Sequence, residues 1–347
     1  MTITRRAQAG AGSNGASSTS EFNAISASGF TVSSTQKKTG SYSFRVGTGN
    51  VGDYGQWAVP ATRQLRTCFH WYGQYAAATD GPSILTLRSA GAALVILKAD
   101  DAGGLSLTVG GTVRDTEAAI ITVNAWQCIG VDVKIHASAG WVKVYRDGIE
   151  ILSYTGNTGD ADITIARYGT GESANYHTFT TYTYFDDLYL DDTTGEATAA
   201  IPPDLRFNNA AANGNGNYSQ CAGNDGNSTD NYLLVDDAAH DSDTTYVEAD
   251  TLDERDTYAM ETVTIPAGWG CTAVIPYAFA LKTDAGTATQ LALTTRLGTT
   301  DQDGDAQDLP TTYGKLWQRF TAKPGGGEWD QAALDDMECG FVGKGAF

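Results

Sequence analysis

Residues 126–152 read WQCIGVDVKIHASAGWVKVYRDGIEIL, and this stretch decides the fold class. After Trp126, apolar residues occupy every second position and mostly polar ones fall between them, the period of a half-buried β-strand. The apolar set is Ile129, Val131, Val133 and Ile135, and the intervening set is Cys128, Asp132, Lys134 and His136. A strand with one face in a core and one face outside follows from this pattern.

The second half of the same stretch predicts a β-hairpin. Asp147-Gly148 is a two-residue loop of the kind that supplies positive φ angles to a tight primed turn. The turn sets the register of the strands on either side of it. We therefore expect Tyr145 to face Glu150 and Val144 to face Ile151.

A later segment, FDDLYLDD at 185–192, repeats the alternating pattern. The order of a Trp, an alternating strand, an Asp-Gly hairpin and this segment resembles the concanavalin A-like lectin/glucanase (LamG-like) jelly roll, in the version found in bacteriophage virion structural proteins. TGSYSF at 39–44 and the Gly-rich hairpin at 94–109 support the resemblance, which covers roughly the first 195 residues. It implies a two-sheet sandwich used for binding or for building particles.

The rest of the chain predicts a second β-domain. DLR at 204–206, NYLLVDD at 231–237 and the strand and turn at 273–286 form an ordered set that resembles the C-terminal β-domain of such phage proteins. No long stretch has a period of 3.6, so the fold class is all-β. A polar and then Pro-containing segment at 192–203 marks the join.

Three regions result from this reading. They are a Gly/Ser-rich N-terminal arm at 1–20, a concanavalin A-like jelly-roll sandwich at 21–197 and a C-terminal β-sandwich at 198–347. The arm buries little apolar surface by itself, so we expect neighbouring subunits to hold it in a homo-oligomer.

Charge and composition exclude several classes of protein. The 347 residues include 41 Asp and Glu against 22 Lys and Arg, a formal charge of −19 that repels a phosphate backbone, so nucleic acid is not expected as a partner. No apolar run is long enough for membrane insertion, and the small polar residues after Arg5 and Arg6 do not form an export signal. The five widely spread cysteines predict buried free thiols rather than a disulfide framework.

Aromatic and acidic side chains nominate a binding surface in the first domain. Trp141, Tyr145 and Tyr154 are expected on one outer face, where aromatic rings beside carboxylates suit saccharide stacking. A second core layer, a subunit contact or a domain contact explains the same pattern better than a glycan site does. Alternation in the segment at 185–192 also places three residues on one face, where they bind sugar hydroxyls or calcium or simply face solvent; these are Asp187, Tyr189 and Asp191.

An acidic segment in the second domain is a candidate calcium site. Asp301, Asp303 and Asp305 alternate along it. The glycine falls at position four instead of six and position twelve is Thr312 instead of Glu, so the EF-hand pattern fails and an acidic turn is the alternative. No other cofactor is expected. Paired carboxylates for glycoside hydrolysis are absent from the first domain, and the nearest string, at 248–254, ends its motif on Asp253 instead of Glu.

The functional expectation is a non-enzymatic structural component of a tailed bacteriophage virion. We expect a peripheral tail or fibre protein, exposed on the particle surface after assembly in the host cytoplasm, that contacts other virion proteins and a host surface glycan. Capsid decoration, in which the arm ties neighbouring capsomers together, is one alternative. A glycoside hydrolase on a lectin-like fold and a cell-surface lectin are the others.

Overall fold

The computed structural model describes residues 5–7, 21–26, 30–46, 52–74, 82–100, 102–170, 182–191, 205–237, 241–284 and 288–346. The chain divides into two compact units, Met1–Phe207 and Asn208–Phe347. The join that the sequence places between 197 and 198 lies outside the described residues, as does most of the N-terminal arm.

The first unit is built from strands. They are β1 (Arg5–Ala7), β2 (Ala24–Ile25), β3 (Phe30–Ser33), β4 (Ser43–Val46), β5 (Tyr54–Thr62), β6 (Gln64–Gly73), β7 (Ser83–Arg88), β8 (Ala93–Ala99), β9 (Leu105–Val109), β10 (Thr112–Glu117), β11 (Trp126–Lys134), β12 (Gly140–Arg146), β13 (Ile149–Gly156), β14 (Ile163–Gly169) and β15 (Thr183–Asp191).

These strands form two antiparallel sheets that pack as a sandwich. The first sheet has the order β13-β12-β11-β6-β15-β4-β3, with β1 pairing the second half of β15, and the other sheet has the order β10-β9-β8-β7-β14-β5-β2. One apolar core lies between them and takes side chains from both. Tyr168 spans it, packing edge-on against Trp57 and Phe69, and its hydroxyl lies 2.6 Å from that of Thr67. The jelly-roll sandwich expected from the sequence is confirmed.

The arm contributes one described element to this sandwich. Arg5–Ala7 pairs with Leu188–Leu190 of β15 in the same chain. This pairing extends the first sheet within the chain, and the expected contact of the arm with neighbouring subunits stays a prediction.

The hairpin at the centre of the sequence argument forms as expected at its turn. Asp147 and Gly148 have φ angles of 50° and 82°, the positive values of a primed turn. Tyr145 faces Glu150 as predicted. Val144 faces Leu152 rather than Ile151, because an irregularity between Val144 and Tyr145 shifts the register by one residue.

The second unit contains shorter elements. They are β16 (Ala212–Ser219), β17 (Ala222–Gly223), a 3₁₀ helix (Asn231–Leu234), β18 (Val247–Glu248), β19 (Arg255–Met260), β20 (Tyr277–Ala280), β21 (Thr289–Leu297), β22 (Thr300–Asp303), β23 (Gln307–Asp308), β24 (Gly314–Trp317), α1 (Gln331–Asp336) and β25 (Met337–Gly345).

A six-stranded antiparallel sheet organises the second unit, in the order β16-β19-β25-β21-β22 with β23 also pairing β21. The two-stranded ribbon β20-β24 contributes Leu316 to a core cluster with Leu291 and Leu293 of the sheet. The short helix α1 is capped by Asp330, whose carboxylate accepts a hydrogen bond from the Ala333 amide. The stretch 204–231 is dense in Asn, Gly and Asp, a composition that predicts a long loop, but it contains β16, so that prediction was wrong.

The helices of the described residues are short, and none of them has the length and apolar character needed to cross a bilayer.

Candidate functional site

The half-exposed outer face of the first sheet lies on β11, β12 and β13. On β12, Val142 and Val144 point into the core, so alternation sends Trp141, Lys143 and Tyr145 to the other side. Each of these three is only half-buried. Trp141 and Tyr145 are four residue steps apart along the strand, or roughly 13 Å of backbone. Two aromatic rings therefore lie at the ends of a row with an ammonium group between them.

Charged groups from the neighbouring strands complete this surface. Lys134 of β11 lies opposite Trp141, with its Nζ 4.8 Å from the centre of an indole ring, and Asp132 lies opposite Lys143. On the other side, Lys143 Nζ is 3.3 Å from Glu150 Oε2. The bond to Glu150 raises the pKa of Lys143.

We call this set the β11–β13 platform; it consists of Asp132, Lys134, Trp141, Lys143, Tyr145 and Glu150. Burial raises the pKa of the Tyr145 hydroxyl, so this group stays protonated near neutral pH and is able to donate a hydrogen bond. Aromatic faces with donors and acceptors between them suit a ligand that has apolar ring faces and hydroxyl edges.

Tyr154 does not belong to the platform. The register shift at Tyr145 pairs Tyr154 with Val142, so its ring points inward and packs against the core. The Arg114 guanidinium lies over this ring, 4.8 Å from its centre. The predicted grouping of Tyr154 with Trp141 and Tyr145 was wrong, because sequence alternation alone cannot detect a bulge.

The acidic row on β15 is buried. Asp187, Tyr189 and Asp191 are each 1% exposed, so the predicted binding or solvated surface was wrong. Leu188 and Leu190 enter the core, which is what alternation predicts for the face opposite these three residues. A bulge between Asp186 and Tyr189 explains the departure from simple alternation.

Asp187 is the bulged residue, with φ of 47°, a conformation that Asp and Asn tolerate better than most side chains. Its Oδ1 accepts hydrogen bonds from the Thr39 hydroxyl at 2.7 Å and the Phe207 amide at 3.1 Å. Its Oδ2 lies 3.5 Å from His70 Nδ1.

Asp186 lies beside it and, among the described residues, accepts hydrogen bonds from backbone donors. These are the amides of Lys38 at 2.8 Å, Thr39 at 3.1 Å and Asp187 at 2.9 Å. Burial, and then repulsion from Asp186, raises the pKa of Asp187 to about 8. Since N–H and O–H groups already point at Asp187 Oδ1 and at both oxygens of Asp186, the pair does not fit the calcium role considered for Asp187.

The candidate calcium residues of the second unit are also differently placed. Asp301 and Asp303 lie on β22, and both face arginines: Arg296 donates to Asp301, and Arg255 binds Asp303 through two nitrogens at 2.7 and 2.9 Å. Asp305 is exposed. Among the described residues no cluster of three or more His, Cys, Asp or Glu side chains suits a metal ion. Guanidinium groups thus contact the Asp301 and Asp303 carboxylates, which favours the acidic turn, and the calcium site stays a prediction.

Sequence reasoning missed some members of these sites. Asp132 and Lys134 were placed on the outer face of their strand but not joined to Trp141, although the hairpin pattern already aligns the two strands. The contacts of Asp186 and Asp187 with His70 and Thr39 had no sequence signal, because those residues lie more than a hundred positions away in the chain.

No protein-family model and no curated protein sequence matches the chain. Solved structures give partial likenesses. Cellulose-induced protein Cip1 is 13% identical, with a TM-score of 0.37 over 47% of this chain and 85% of Cip1. Galectin LEC-6 of Caenorhabditis elegans is 11% identical, with a TM-score of 0.29 over 41% of this chain and 94% of the galectin.

Trypanosoma rangeli sialidase is 15% identical, with a TM-score of 0.34 over 47% of this chain. The chain covers only 27% of that sialidase. Likenesses at this level concern the β-sandwich fold and leave the function to be argued from the platform itself.

Proposed function

We propose that the protein is a non-enzymatic glycan-binding protein that uses the β11–β13 platform. The observation that supports this most directly is the pair of half-exposed rings, Trp141 and Tyr145, on one outer face with Lys143 between them. Rings of this kind stack on the apolar faces of sugars. Lys143 and Glu150 keep further donor and acceptor capacity for hydroxyl groups beyond their mutual contact.

The arrangement of carboxylates supports binding without turnover. Glycoside hydrolysis uses two carboxyl groups that both reach the substrate. Asp186 and Asp187 form the closely coupled pair of the first unit, but both are buried and accept hydrogen bonds from the chain itself. A glycoside hydrolase is the second candidate, and it would have to use carboxylates other than this buried pair.

We further propose that glycan binding serves a virion structural protein of a tailed phage, at a peripheral tail or fibre position. The support is the sequence resemblance at 126–152 and 185–192. Many copies of a weak site on one particle bind a cell surface far more tightly than a single copy. Capsid decoration remains the alternative location.

A glycan array probed with the full chain, with and without calcium, tests the proposed binding. Trp141→Ala and Tyr145→Ala are each expected to lower the affinity for the tightest-binding glycan by about tenfold, the effect of losing roughly 1.4 kcal/mol of stacking. Val113→Ala, which alters a 57% exposed side chain on another strand, is the matched control. Wild-type affinity in both aromatic variants, or cleavage of the bound oligosaccharide, would contradict the proposal.

The virion role needs a separate measurement. An antibody against the chain should label purified particles from the host that produces it. Particles that carry none of the chain would contradict the virion role while leaving glycan binding intact.

A further inference from the structure

A second aromatic surface lies in the other unit, on the ribbon formed by β20 and β24. Tyr277 pairs with Trp317, and Phe279 pairs with Lys315. The same register continues past the strands. The Gln318 amide donates to the Pro276 carbonyl, and the backbones of Val274 and Phe320 each donate a hydrogen bond to the other. The ribbon is thus regular from 274 to 280 and from 314 to 320, and alternate residues point to opposite sides.

One side of this ribbon is anchored in the core of its unit. Val274 and Phe320 are buried in one apolar cluster with Trp329, and Leu316 is buried in another. Ala278 and Ala280 pack against the second cluster. Because these even-numbered residues point inward, the odd-numbered residues are held outward by the sheet geometry.

The outward side carries three aromatic rings and two cations. Its residues are Ile275, Tyr277, Phe279, Lys315, Trp317 and Arg319. Tyr277 is 45% exposed, and the other five are half-buried. Lys315 Nζ lies 4.8 Å from the ring centre of Tyr277 and 5.9 Å from that of Phe279. We call these six residues the ribbon face.

The local charge differs from that of the whole chain. Segments 271–283 and 309–322 contain Lys282, Lys315 and Arg319 and no Asp or Glu. From outside these segments, the Asp243 carboxylate accepts a hydrogen bond from the Tyr313 hydroxyl at 2.9 Å, two residues before Lys315. The whole chain has 41 acidic residues against 22 basic ones. A cationic, aromatic surface on an acidic protein attracts an anionic ligand locally, while the remaining surface repels it.

We propose that the ribbon face binds an acidic saccharide, that is, a sugar chain bearing carboxylate groups. Trp317 and Tyr277 supply flat faces for the sugar rings, and Lys315 and Arg319 supply the positive charge for the carboxylates. Tyr277 and Trp317 lie opposite each other on the paired strands, and such neighbouring aromatic rings favour a saccharide over an acidic peptide, which has no rigid ring faces to stack. This site goes beyond the proposed function, because it uses none of the residues of the β11–β13 platform.

Isothermal titration of the full chain with hexagalacturonate tests the proposal, with cellohexaose as the neutral probe and hexaglutamate as the acidic peptide. We expect hexagalacturonate to bind more tightly than either of the other two probes, and we expect its affinity to fall as the salt concentration rises. Tyr277→Ser and Trp317→Ala should each weaken it by about tenfold. Lys315→Gln should weaken it severalfold and reduce its dependence on salt.

Trp141→Ala is the control that separates this site from the platform, and it should leave hexagalacturonate binding unchanged. Lys315→Gln removes a charge and leaves the aromatic rings in place. It therefore still tests the proposal if the aromatic variants fail to fold, a failure that circular dichroism would detect. Absence of hexagalacturonate binding at millimolar concentration, equal binding of hexaglutamate, or binding lost in Trp141→Ala but retained in Lys315→Gln would each overturn the proposal. Failure of the platform would appear separately, as neutral-glycan binding unaffected by Trp141→Ala.

Discussion

His70 Nδ1 lies 3.5 Å from Asp187 Oδ2, and the side chains of both residues are at most 1% exposed. The imidazole comes from β6, and the carboxylate comes from the bulge in β15. Burial also raises the pKa of the adjacent Asp186 to about 6, although three backbone amides act to lower it. The folded protein therefore keeps protons on this carboxylate pair at a pH where the unfolded chain has lost them.

We expect the first unit to lose stability as pH rises from about 4 towards about 8, the interval between the ordinary pKa of an Asp carboxyl and that of Asp187 in the fold. The sign follows because the native state binds more protons than the unfolded state in this interval, so the free energy of unfolding falls with pH. Scanning calorimetry across this range measures the effect.

Asp187→Asn is the matched variant. Asn tolerates the positive φ of this position, its carbonyl accepts the bonds from Thr39 and Phe207, and it carries no titrating group. Its melting temperature should vary less with pH, and it should exceed that of the wild type above pH 8. Burial also raises the pKa of Asp53, so some dependence of the melting temperature on pH should remain in this variant. Identical slopes in the two proteins would refute the assignment to Asp187.

The turn of the central hairpin gives a second prediction. Gly148 has φ of 82°, so Gly148→Ala should destabilise the first unit by about 1–2 kcal/mol, the cost of placing a Cβ in the left-handed region. Gly91→Ala is the control, because an added Cβ there meets nothing within 4 Å. Urea unfolding compares the two, and equal free energies of unfolding would contradict the primed turn.

Two buried thiols give a third prediction. Cys68 Sγ and Cys128 Sγ, on neighbouring strands, lie 2.8 Å apart, closer than two unbonded sulfur atoms normally pack. Refolding with oxidised glutathione should join them, as two thiols and one glutathione disulfide give a protein disulfide and two glutathione thiols. Titration of the denatured product should then find three free thiols instead of five. Cys128→Ser should keep all four of its thiols, and a wild type that also keeps all five would argue against the bond.

The sequence predicts those parts of the fold whose signals are local. Alternation from Ile129 to Ile135 and the Asp147-Gly148 pair were sufficient for the central hairpin, because both depend on neighbouring residues. Bulges have no such signal, so Tyr154 was assigned to the wrong face. β16 was missed because its Asn and Gly residues have low strand propensity, and pairing with β19 overrides that preference.

The candidate sites show the same division. Trp141 and Tyr145 were found because they share a face of one strand. The ribbon face was not found, because Tyr277 and Trp317 meet only through a pairing across 40 positions of sequence. The nature of the Asp301 and Asp303 site depends on Arg255 and Arg296, which lie on other strands of the sheet.

This last contact gives the fourth prediction. Arg255, with a side chain 13% exposed, donates two hydrogen bonds to Asp303 and one to Thr294. Asp303→Asn should therefore destabilise the second unit by about 1 kcal/mol, a value reduced by the partial exposure of the carboxylate. Asp305→Asn, at an exposed position, should have no effect.

Calcium distinguishes this ion pair from a metal site. If guanidinium groups hold Asp301 and Asp303, millimolar calcium should leave the melting temperature of the wild type unchanged, since a ligand that binds the native state would raise it. Arg255→Lys should be less stable than the wild type, because an ammonium group cannot reproduce the paired hydrogen bonds of a guanidinium. A melting temperature that rises with calcium in the wild type but not in Asp303→Asn would mean that the carboxylates bind the cation after all.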